Sequence, residues 1–373
     1  MPSYRFRPPP STGPSAASSS RVPAPPMDAE PAGARARARA AVRLPMGLGT
    51  LRGLAPFGRS WLRGAGLRGA LLGGVLCAGA LFGCAPETPL PASPGAPALV
   101  ATTPTLETFA RRLLEADLEL AAPLPAGADP AFWMPDDGAL ALLQSAGLVL
   151  CQGAGYEPWL ETASLSRSRL VETARAVEPD WIEFESVTHS HGAGEHSHAG
   201  LRPQTWLDPT LAREQAKLAA AAIARRWPDL AARLEPRLAA LEAELENLDR
   251  GWRALAPRLM RARLLCSHPS YAYPARRYGL ALESLDIAPD RVLEASGLAR
   301  LAAARGAGPG LVWFEREPSP ELRAQLGQQF SLVSVYVDPL DLRPAGGPSA
   351  PDALARQNEN LARLAAALDS LGL

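Results

Sequence analysis

Two runs of alternation restrict what this chain can fold into more than any single residue does. Short apolar stretches recur as ALVATT (98–103), LELAAPL (118–124), GLVLCQ (147–152) and WIEFE (181–185), then as RLLCS (263–267), LALESL (280–285), GLVWFE (310–315) and SLVSVYV (331–337). Between them lie stretches with helical spacing: 106–116 and 136–146 in the first run, 271–279, 290–304, 320–329 and 352–371 in the second. Buried strands separated by helices imply parallel β-α-β units. From residue 211 to 262 the texture changes, with apolar residues three and four apart and charges on the other face. Pro228, Pro236 and Pro257 are expected to start, kink or break that helical stretch, and they interrupt any heptad long enough for a coiled coil. The expected fold is therefore α/β. Two (β/α) lobes with parallel sheets span 98–210 and 263–373, a long linking helix over 211–262 forms the spine, and a cleft lies between the lobes. Ligands of open parallel sheets bind beyond the carboxyl ends of the strands. That directs attention to the loops at 128–135, 152–159, 186–206, 266–271 and 337–341.

The chain has 373 residues, 47% of them hydrophobic, enough to fill the core of two domains. Lys+Arg and Asp+Glu both total 38, so no net field draws in nucleic acid, and no nucleic-acid partner is expected. Residues 1–45, rich in Pro, Ser, Ala and Arg, cannot bury enough apolar surface to offset their ordering entropy. They read as disordered, or as lying upstream of a true start at Met46. Residues 46–84 follow secretory signal grammar, with a basic n-region, an apolar stretch from Ala70 to Phe82 and a small-residue site at Gly83-Cys84. The apolar stretch falls short of the roughly 20 residues that a membrane-spanning helix needs. Leu81-Phe82-Gly83-Cys84 resembles a bacterial lipobox, which makes Cys84 a candidate for lipidation and the membrane a partner through a lipid anchor; the alternative is an ordinary cysteine in a signal peptide cut elsewhere. Residues 85–97 form a Pro-rich tether.

Four of the five histidines fall in SVTHSHGAGEHSHAG (186–200), as two His-x-His pairs around glycines. In an extended loop, residues i and i+2 point to one side, so His189 with His191, and His196 with His198, can each offer two imidazoles to one ion. Imidazoles with an ordinary pKa near 6.5 are mostly neutral at pH 7 and able to ligate.

Several cleft loops carry recognisable words in order: AGADPAFWMP (126–135), GAGYEPWLE (153–161), the histidine-rich loop, TWLDPTLA (205–212), HPSYAYPARRYGL (268–280), VDPLD (337–341) and RQNENLARLAAAL (356–368). Across about residues 98–371 the chain resembles the ZnuA-like, cluster A-I, substrate-binding proteins of ABC transporters. The resemblance implies the two-lobed fold, an extracytoplasmic location, zinc or manganese as the bound ion, and an ABC permease and its ATPase as partners; the histidine-rich loop favours zinc over manganese, and a monomer is expected. It also implies three histidines and one carboxylate around the metal. Carried over by position, the third histidine is His268 and the carboxylate is Asp338. The first histidine falls at Ala131 and the second at Gln204, so two of the four expected donors are missing. Alanine has no donor, and an amide oxygen suits zinc far less than imidazole. An imidazole from His189, His191, His196 or His198 is the candidate that completes a site with His268 and Asp338.

The alternative from another class is a family member without tight metal capture, acting as a surface lipoprotein in adhesion or protein contact. A metal-dependent hydrolase is disfavoured, because no His-x-x-x-His, nucleophile elbow or phosphate loop occurs. Cys151 and Cys266 read as buried small hydrophobes, with a disulfide or a soft-ligand role as alternatives. Glu157 and Asp208 look structural, Asp208 as a helix cap. Glu315 is expected to face the cleft beside His268.

Overall fold

The computed structural model describes residues 96–183, 189–191, 194–196, 200–346 and 350–373. The signal segment, Cys84, the tether up to residue 95 and His198 lie outside the described residues, as do the side chains of His189, His191 and His196.

The N-terminal lobe opens with β1 (Leu99–Ala101), α1 (Pro104–Leu114), β2 (Leu120–Ala121), α2 (Asp137–Ser145), β3 (Leu148–Cys151) and β4 (Leu170–Glu172). Its sheet runs β2-β1-β3-β4, with every pairing parallel. Helix starts follow the local chemistry. Thr103 accepts from Leu106 N–H ahead of Pro104, and Asp136 accepts from Ala139 N–H ahead of α2.

One strand differs from the expectation. The fourth strand is Leu170–Glu172, whereas the described part of WIEFE, 181–183, makes only a single antiparallel bridge from Glu183 to Leu201. The cause is tethering. Trp181 Nε1 donates to Ala174 O at 3.1 Å, and Ile182 N–H donates to the Tyr273 hydroxyl of the other lobe at 3.2 Å, so the segment is held away from the sheet edge. Beyond it lie β5 (His189–His191) and β6 (Gly194–His196), an antiparallel ribbon.

The linking stretch is two helices, α3 (Pro209–Arg226) and α4 (Ala231–Leu259), packed against each other. Asp208 caps α3 by accepting from Thr210 N–H. The break falls at Trp227-Pro228, where a short 3-10 turn, Pro228–Leu230, leads into α4. Pro236 and Pro257 lie inside α4 without ending it; Pro257 sits in its last turn.

The C-terminal lobe follows as β7 (Arg263–Cys266), α5 (Ala272–Tyr278), β8 (Leu282–Ser284), α6 (Ala295–Arg305), β9 (Gly310–Phe314), α7 (Pro320–Phe330), β10 (Leu332–Tyr336) and α8 (Ala353–Ser370). Its parallel sheet has the order β10-β9-β7-β8. One continuous apolar cluster threads both lobes and the two linking helices, including Leu99, Phe109 and Leu150 on one side, Ile223, Leu248 and Trp252 in the middle, and Leu264, Leu311 and Trp313 on the other. The aromatic knot at Trp252 joins α4 to the C-terminal lobe, stacking on Tyr278 at 5.4 Å and lying 6.2 Å from Trp313. Among the described residues, no helix is long and apolar enough to cross a membrane.

The same junction carries a buried ion cluster. Asp249 on α4 accepts from Arg277 Nε at 2.7 Å, from the Tyr278 hydroxyl at 2.9 Å and from Arg253 Nε at 2.8 Å. Burial works against its charge, but these donors outweigh it and hold the carboxyl at about 2. A carboxyl depressed on folding stabilises above its unfolded pKa, near 3.9, and loses that contribution as pH falls through the folded value. Asp249→Asn is therefore expected to lower stability by about 2 kcal/mol at pH 7, and by much less near pH 2, in urea unfolding. An equal deficit at both pH values would refute this reading of the junction.

Candidate metal site

His268 stands at the carboxyl end of β7, in extended backbone, immediately before the 3-10 turn Pro269–Tyr271, to which its side chain makes no capping bond. Its Nδ1 lies 3.1 Å from Ser270 Oγ and 3.5 Å from Glu315 Oε2. Glu315 follows β9, the sheet neighbour of β7, so adjacent parallel strands deliver the two side chains side by side. Burial pushes Glu315 up to about 7, with Arg316 opposing and the charge of Asp129 adding. A carboxylate paired with the second nitrogen of a histidine is the arrangement that orients an imidazole toward a metal.

The loop after β2 brings Asp129, whose Oδ1 accepts from Ala131 N–H at 2.9 Å. Ala131 itself packs on the shared core, and Gln204 immediately precedes the 3-10 turn Thr205–Leu207 without a side-chain capping bond. Asp341 accepts from the Tyr156 hydroxyl at 2.6 Å, and burial, reinforced by Asp129, raises its carboxyl well above the ordinary range.

Asp338, after β10, is 5% exposed, and both its oxygens are engaged. Oδ2 accepts from Arg356 Nε at 2.7 Å and lies 2.7 Å from Nη2, while Oδ1 accepts from Leu340 N–H at 2.8 Å. Among the described residues, no three His, Cys, Asp or Glu side chains converge as a metal-holding group. The structure thus brings His268 together with Glu315, and Asp338 together with Arg356. In the ribbon, the register sets His189 opposite His196, bringing one histidine from each His-x-His pair to the same ladder position.

Residues 99–367 match the family model described as the periplasmic zinc-uptake complex component A, ZnuA. The chain belongs to the ZnuA family. The high-affinity zinc uptake system protein ZnuA of Bacillus subtilis is 25% identical over 250 residues, covering 65% of this chain and 78% of that protein. Among solved structures, the metal-dependent lipoprotein YcdH of Bacillus subtilis superposes with a TM-score of 0.62 at 20% identity, covering 74% of this chain and 98% of that one. The zinc-bound ZnuA-like domain of Streptococcus pneumoniae AdcA gives 0.59 at 19% identity, over 74% of this chain and 100% of that domain. Such identities carry the fold, and the two-lobed ZnuA-type architecture is the one described above.

Within that family frame Cys151 and Cys266 are free, buried thiols at the ends of β3 and β7, in different lobes. Burial pushes Cys266 up to about 12, and Cys151 well above its ordinary value, so both stay protonated and packed at neutral pH. Glu157 is likewise structural: it accepts from the Thr102 hydroxyl at 2.6 Å and from the Gln152 and Gly153 N–H groups. Arg356 and Asp341 escaped the sequence reading. The available signal for Arg356 was its place with Gln357 and Asn360 on the buried face of α8, where three polar side chains in one turn need partners.

Proposed function

We propose that the chain is the extracytoplasmic capture component of a metal importer. It takes up a divalent transition metal, zinc ahead of manganese, and hands it to an ABC permease and its ATPase while acting as a monomer anchored to the membrane through lipidated Cys84. The observation that carries the reading is the His268–Glu315 pair at the carboxyl ends of adjacent strands in a ZnuA-family cleft. His268 supplies one imidazole, and His189, His191, His196 and His198 supply the others from the histidine-rich segment. Imidazole donors favour zinc over manganese, which leans on carboxylates. No reaction is assigned to the cleft. The zinc named in its Bacillus relative, and the word lipoprotein in the name of YcdH, support the cargo and the anchor.

Removing residues 189–198 from the full chain is expected to weaken zinc binding by about tenfold or more, with the helical content kept, as measured by calorimetry. Unchanged, tight, one-to-one binding would rule the segment out as a ligand source.

A second reading has its own support, since Ala131 and Gln204 stand where imidazoles are expected and Asp338 is engaged by Arg356. It makes the protein a family scaffold without tight capture, used for adhesion or protein contact at the surface. A chain that holds no zinc after stripping and reloading selects this reading.

A further inference from the structure

Asp338 opens a strap, residues 338–343, that leaves the C-terminal lobe after β10 and crosses to the N-terminal lobe. On the far side it is fastened at several points. Trp206 Nε1 donates to Pro339 O at 2.8 Å, the Tyr156 hydroxyl donates to Asp341 Oδ1 at 2.6 Å, and Arg343 Nη1 donates to the Ala122 and Leu124 carbonyls at 2.6 and 3.0 Å. On the near side α8 holds it. Arg356 grips Asp338 Oδ2 with Nε and Nη2, Nη2 also donates to Leu342 O at 3.0 Å, and the Asn360 amide brackets the Asp338 backbone from both directions at 2.8 Å.

Inside the strap, Leu340 is buried at φ +65°, a region that a bulky residue adopts only when its surroundings impose it. Its N–H is capped by Asp338 Oδ1, so the carboxylate fixes both the anchor and the turn. A carboxylate this buried needs a cation beside it, and either a captured dication or a side chain of the chain itself can serve.

We propose that Arg356 is the built-in cation of Asp338: it latches the lobe-crossing strap without metal and keeps this carboxylate out of metal coordination. The guanidinium fits the role because its fork presents two N–H donors to one oxygen and its charge is permanent. The consequence is a protein whose lobes are strapped together before cargo arrives, with capture left to His268 and the histidine-rich segment. That last clause rests on the metal-capture reading; the latch itself does not.

The test is hydrogen exchange of strap peptides in the full chain, with zinc as the probe, on wild type, Arg356→Gln, Asp338→Asn and the milder Arg356→Lys. In wild type the strap amides are expected to exchange equally slowly with and without zinc. In metal-free Arg356→Gln and Asp338→Asn they are expected to exchange about tenfold faster or more, with Arg356→Lys between, because removing one partner leaves the other buried alone. Asp338→Asn is expected to hold zinc within about threefold of wild type, having lost no ligand. Wild-type strap amides that slow further on adding zinc, or a loss of about tenfold or more in zinc affinity in Asp338→Asn, would overturn the proposal by making the metal the cation of Asp338. A wild-type chain that takes up no zinc removes the capture reading, yet the metal-free comparison still decides the latch: exchange unchanged in Arg356→Gln overturns it.

Discussion

Replacing His268 with alanine is expected to weaken zinc binding by about a hundredfold or more, the largest effect of any single substitution in the cleft. Among the described residues, His268 is the histidine whose side chain lies at the end of a sheet strand, β7, with Glu315 3.5 Å from Nδ1 to orient the ring. Altering only the partner that orients a metal-bound histidine costs about 10–100-fold in affinity, so losing the imidazole itself costs at least the upper end of that range. Glu315→Gln is the graded control, with a loss of about tenfold and His268 retained. Competition with a chromogenic chelator measures both. Equal affinity in His268→Ala and wild type would make His268 a structural residue and leave the histidine-rich segment as the sole collector.

Trp252→Ala is expected to destabilise the chain by about 3–5 kcal/mol in urea or thermal unfolding. Trp252 is 2% exposed, and it stacks on Tyr278 at an interplanar angle of 11° while touching the same cluster as Trp313. Truncation removes the transfer energy of an indole and leaves a cavity where α4 meets the C-terminal lobe, and rigid sheet and helix backbones on both sides limit its collapse. Because one core runs through both lobes, the deficit is expected to appear in a single cooperative transition. Val292→Ala, in an exposed position 47% open to solvent, is expected to stay within about 0.5 kcal/mol. A Trp252→Ala chain as stable as that control would mean that the lobes do not share the core described.

The parallel strands of both sheets were legible where four or five apolar residues ran together, as in GLVLCQ and GLVWFE, because strands buried on both faces lose the alternation that mimics other structure. β4 was not legible. Leu170–Glu172 is three residues long, flanked by arginine and threonine, and its partner β3 supplies the context that makes it a strand. WIEFE misled for the converse reason, since an apolar run with β propensity is also what an inter-lobe contact needs, and Tyr273 of the other lobe claims it. The break of the spine at Pro228 was foreseen, but the continuity of α4 through Pro236 and Pro257 depends on packing that local propensity does not contain.

His268 came from the family resemblance, and strand position was enough to set Glu315 beside it, where the structure places it. The engagement of Asp338 was hidden, because its partner lies 18 residues downstream on α8 and only the folded chain brings the two together.

The central claim is that a cleft lacking imidazoles at 131 and 204 still captures zinc. The most direct measurement is metal analysis of the full chain, stripped with chelator, dialysed against zinc and then challenged with a competing chelator. The account predicts one zinc per chain retained through the challenge in wild type and lost in His268→Ala. Zinc released completely by the challenge from wild type would contradict it.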